Sequence, residues 1–136
     1  MPFHYRIYPE PGILIVQGEG AMTQAERVET MLAWLADPAY QACVDALCDF
    51  SKTDSIPSRA DLDELVTLLK EHIPARGPTK VAMVAPQIIT FGVARVFEEM
   101  VHLGALPLQV KVFADRKNAW AWLRPGAPPV DQDLGF

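Results

Sequence analysis

Phe3, Tyr5 and Ile7 alternate with His4, Arg6 and Tyr8 at the start of the chain, which is the period of a half-exposed strand. Pro-Glu-Pro-Gly at 9–12 turns the chain, because proline presets φ and glycine tolerates the reversal. A second strand, ILIVQGE from Ile13, is more continuously apolar. The two strands are expected to form an antiparallel hairpin, with the first near an edge.

From Thr23 the period lengthens to that of a helix. Thr23 with Glu26 three residues on forms a capping box. Val28, Met31, Leu32 and Leu35 fall on one face, and Asp37-Pro38 ends the segment. A third strand, VDALCDF, is predicted over 44–50. A second helix over 59–73 carries Leu62, Leu65, Val66, Leu69 and Ile73 on one stripe, and PARGP closes it. KVAMVA from Lys80 is apolar on both faces, the pattern of a central strand in a parallel sheet. A third helix over 88–103 turns Ile89, Val93, Val96, Phe97 and Met100 inward and Arg95, Glu98, Glu99 and His102 outward, and Gly104 ends it. A fifth strand starts at Leu108, and Asp115 caps a last helix, RKNAWAWL.

The order β-β-α-β-α-β-α-β-α predicts an α/β fold. It has a five-stranded mixed, mostly parallel sheet and about four helices. One domain over 1–124 is expected, followed by a Pro-rich tail over 125–136.

Composition narrows the functional classes. Half of the 136 residues are hydrophobic and 21% are charged, which suits one domain with a sizeable core. The formal charge of −5 argues against nucleic-acid binding, which needs a basic footprint. It argues equally against polybasic attraction to a membrane surface. The first residues lack the basic and apolar regions of a signal peptide, and no segment has the apolar length of a membrane span. A soluble cytoplasmic protein is expected, with no nucleic-acid partner and no membrane insertion. Cys43 and Cys48 are not spaced as CxxC and read as buried free thiols in a reducing compartment.

Motifs that carry chemistry are absent from the sequence. It holds no GxSxG, no phosphate loop and no dinucleotide fingerprint. QGEGAMT at 17–23 has two glycines and reads as a tight strand-to-helix turn. His4, His72 and His102 show no metal-ligand spacing to a cysteine or carboxylate. Glu98 and Glu99 are adjacent on a helix and are expected to diverge. No catalytic residue, metal or cofactor is therefore expected.

Two stretches carry a family resemblance. KVAMVAPQIITFGVARVFEEM is a strand and then a helix bearing Phe91-Gly92 and Arg95 to Glu98. VKVFADRKNAWAWL is a strand, an acidic cap and a helix ending in Ala-Trp-Leu. With Asp49-Phe50-Ser51 near the end of the third strand, this order resembles the STAS domain of anti-sigma-factor antagonists. More closely it resembles the SpoIIAA-like group, from about residue 3 to 124. The resemblance implies a non-catalytic regulatory module that acts by binding another protein. In the antagonists a serine at the start of the next helix is phosphorylated, and the family spacing places Ser58 there. Pro57 stands where the family has an acid, and Arg59-Ala60 follow.

Ser58 thus has two readings, a helix cap and a phosphate-accepting switch. The expected partner-binding loop comprises Asp49, Ser51, Asp54, Ser55 and Ser58. Ile88, Phe91, Gly92, Arg95 and Trp34 are candidates for an apolar pocket or an interface, since parallel strands bind ligands at their carboxyl ends. A protein partner, a homodimer and a small apolar ligand of the lipid-carrier kind all stay open.

Overall fold

The computed structural model describes residues 3–10, 12–42, 45–72 and 79–128. The strands are β1 (Phe3–Tyr8), β2 (Ile13–Gly20), β3 (Asp45–Thr53), β4 (Thr79–Val84) and β5 (Leu108–Phe113). The helices are α1 (Gln24–Ala36), α2 (Arg59–His72), α3 (Ile88–Leu103) and α4 (Arg116–Leu123). A 3₁₀ turn over Pro38–Ala42, unforeseen in the sequence, leads into β3. The expected α/β fold is present. The strands lie in the order β1-β2-β3-β4-β5, with β1 antiparallel to β2 and the remaining pairs parallel.

This order explains the layers. Strands added one after another in a single direction, with crossovers of one hand, bring every connecting helix to the same face. Trp34 and Leu35 of α1, Leu62, Leu65 and Leu69 of α2, and Phe97 of α3 accordingly share one core cluster. The opposite face would be bare but for α4. Its Ala119, Trp120 and Leu123 cover Ile13, Ile15, Leu47, Ala82 and Val84. Two ion pairs fasten this helix at its ends. Arg116 Nε donates to Asp49 Oδ2 at 2.7 Å, and Arg124 pairs with Asp45. Arg124 also donates to the carbonyl of Gly12.

Several details depart from the sequence reading. β3 runs on to Thr53, so Ser51 is a strand residue and the loop begins at Asp54. In α1 Leu32 is exposed and Trp34 is buried. In α3 the inner face is formed by Ala94, Phe97, Glu98, Met100 and Val101, while Ile89 and Val96 are exposed. The helix is apolar nearly all round, so counting hydrophobic positions could not choose the arc that meets the sheet. The left-handed residue after α3 is Ala105, with φ +53°, and Gly104 is right-handed. The closing bonds of Ala105 to His102 and of Leu106 to Val101 are those of a Schellman motif. Alanine in that position costs about 1 kcal/mol relative to glycine. Cys43, Ile73, the PARGP closure and the tail beyond 128 lie outside the described residues.

Candidate functional site

Between the sheet and helices α1, α2 and α3 lies a cavity of about 150 Å³. Its floor is formed by Val16, Ala46, Cys48, Val81, Met83 and Val110. The helices contribute Trp34, Leu62, Leu65, Leu69, Val93 and Phe97. Small side chains make the room. Ala46 and Cys48 sit on the central strand, and Ala94 of α3 also borders the space. Protein interiors pack like organic crystals and hold few voids larger than a water molecule. An apolar cavity near 150 Å³ stays dry and takes up a benzene-sized guest.

The lining is almost wholly apolar, with a few polar side chains toward one end. Arg27, Thr30, Thr53, Ser55 and Thr90 border it, near the carboxyl ends of β2 and β3. Gly18 lets this end close: a Cβ there would meet Thr53 Cγ2 at 2.8 Å and Met22 Sδ at 2.9 Å. Ser55 Oγ accepts the Met22 N–H at 2.8 Å and donates to the Met22 carbonyl at 3.2 Å. Arg27 donates to Ser55 Oγ and to Gln24 Oε1, both at 3.3 Å. Desolvation pulls the Arg27 guanidinium below its ordinary value, and the charges of Asp61 and Glu26 offset this only in part. Burial pushes the Cys48 thiol up to about 12, with the Asp49 charge adding to the effect. Cys48 therefore stays a neutral, unreactive wall of the cavity near neutral pH.

A family model described as SpoIIAA-like matches residues 13–124. The chain belongs to the SpoIIAA-like family. Among solved structures, an uncharacterized protein of the DUF3478 family with a SpoIIAA-like fold, from Shewanella loihica PV-4, is similar at a TM-score of 0.58. The two are 20% identical over 89% of this chain and 91% of that one, a likeness of fold. No curated protein matches.

In this SpoIIAA-like domain the expected loop residues do not form one surface. Asp49 is buried on the α4 side, where Arg116 holds it and its Oδ1 accepts the Ser51 N–H at 2.8 Å. Asp49 is therefore not available to a partner in this structure, a correction to the expected loop. Ser55 turns inward to the cavity end, whereas Asp54 and Ser58 are exposed. Ser58 caps α2: its Oγ accepts the Asp61 N–H at 3.1 Å, and Asp61 Oδ2 accepts the Ser58 N–H at 2.9 Å. A phosphate on Ser58 would break this reciprocal cap and face the Asp61 carboxylate.

The second group divides as well. Trp34 lines the cavity, but Ile88, Phe91, Gly92 and Arg95 do not. Ile88 stands 91% exposed at the start of α3. Glu98 is buried rather than outward. Its Oε2 lies 3.5 Å from Arg95, and its Oε1 has no hydrogen-bond partner among the described residues. Glu98 and Glu99 converge with His102, donor atoms of all three lying within 4.8 Å of one another. The spacings i, i+3 and i, i+4 could have shown this in the sequence. Arg95 already brings a positive charge to the cluster. Among the described residues, no helix is long and apolar enough to cross a membrane.

Proposed function

We propose that this SpoIIAA-like domain is a non-catalytic module that binds a small apolar ligand between its sheet and helices. The cavity of about 150 Å³ carries this reading. Its size matches a ring or chain of about six carbons. Titration with 1-hexanol, followed by NMR and thermal unfolding, tests it. Saturable binding is expected, and a ligand at a hundred times its Kd adds about 2.7 kcal/mol to stability. Ala94→Leu fills part of the space, so it weakens hexanol binding at least tenfold without lowering the melting temperature of the free protein. Absence of saturable binding to the wild type removes the reading.

A second reading, a protein-interaction module, is favoured by the outer face of α3. Ile88, Ile89, Val96 and Leu103 are all exposed. At 3.6 residues per turn they fall with Gly92 within about 100° of arc. The occupant this face suits is a second copy of the chain. Arg95 and Glu99 border one edge of the stripe, and an antiparallel two-fold brings the same edges together, placing Arg95 of each copy near Glu99 of the other. Analytical ultracentrifugation is expected to show a dimer that Val96→Glu converts to monomer. A wild type that stays monomeric at high micromolar concentration eliminates this pairing.

A further inference from the structure

We infer that the cavity ligand is an amphiphile with a carboxylate head, its chain of about six carbons in the apolar space and its head on Arg27. This rests on the cavity being a ligand site.

Arg27 and Thr30 lie three residues apart on α1 and both border the cavity. A partly desolvated guanidinium is normally matched by a carboxylate. Arg27 has none within ion-pair distance among the described residues. Its partners are the neutral oxygens of Ser55 and Gln24, both at 3.3 Å, so three of its five N–H donors make no bond to another of the described residues. The nearby acids have other partners. Glu26 Oε1 accepts from the backbone and hydroxyl of Thr23, Asp61 Oδ2 accepts the Ser58 N–H, and Glu64 Oε1 accepts from Gln24. Thr30 is buried and borders the cavity one turn on from Arg27, so its hydroxyl is placed as a second donor. The planar fork of arginine matches a carboxylate with two parallel bonds. The long bonds to Ser55 and Gln24 are the ones such a head would replace. Trp34, Leu69 and Leu108 line the cavity away from Arg27 and suit hydrocarbon.

The test compares hexanoate with 1-hexanol, which share a chain and differ in the charge of the head, by NMR titration of the full chain. Wild type is expected to bind hexanoate at least tenfold more tightly than hexanol. Arg27→Met should abolish that preference, bringing the affinities for the two probes within twofold of each other. Arg27→Lys, which keeps the charge, should retain most of the preference. Equal binding of the two probes by the wild type overturns the inference. So does an Arg27→Met variant that keeps the preference or loses both probes alike. Hexanol binding with no gain for hexanoate overturns the carboxylate head and leaves the apolar cavity reading standing. Binding of neither probe removes both.

Discussion

Trp120→Ala is expected to destabilise the domain by about 3–5 kcal/mol. Trp120 is buried, and its indole N–H donates to the Ala127 carbonyl at 2.9 Å. It is the largest buried residue of the small cluster that α4 forms over β2, β3 and β4. The space left by truncation cannot close by a shift of α4, because Arg116 and Arg124 hold the helix at both ends. The loss is a large share of the 5–15 kcal/mol that stabilises a typical domain. Urea unfolding of the variant checks it, with Trp120→Phe expected in between. A cost below about 1 kcal/mol would show that α4 is not packed on the sheet as described.

Asp49→Ala is expected to cost about 3 kcal/mol. Removing one member of a buried ion pair typically costs 3–5 kcal/mol. The lower end applies because the Arg116 side chain remains 30% exposed and water recovers part of its charge. The Ser51 N–H loses its acceptor in the same step. Asp49→Asn keeps one acceptor oxygen, for the Ser51 N–H, but turns an amide NH2 toward Arg116, so it should cost less than Asp49→Ala but still destabilise measurably. Asp49 lies on the α4 side, so hexanol affinity in both variants should stay within twofold of wild type. Equal stability of wild type and Asp49→Ala would mean that the Arg116 contact contributes nothing net.

The element order was legible because strand and helix periods alternate cleanly. The end of α3 and the start of α4 could be read from Gly104 and Asp115. Less legible was which way an element faces. α3 has apolar residues on nearly every side, and the sheet selects the arc holding Ala94 and Phe97 over the one holding Ile89 and Val96. The cavity itself had no local signal. It arises because Ala46, Cys48 and Ala94, small residues distant in sequence, meet around one space. Arg27 carries no signal of its own in the sequence, and that no carboxylate among the described residues lies within ion-pair distance of it is visible only in three dimensions. The Asp49–Arg116 pair spans 67 residues, beyond the reach of any spacing rule.

The clips on α4 have a consequence for how the domain is made. Arg124 reaches back 112 residues to Gly12, and its other partner, Asp45, lies 79 residues away. Contacts of such separation are slow to form. During synthesis β1 to β5 can assemble with their three crossover helices while the face bearing Ile13, Ile15, Leu47 and Ala82 is still uncovered. Until α4 leaves the ribosome, the nascent chain carries one finished side and one sticky side, and that interval is when it most needs a chaperone.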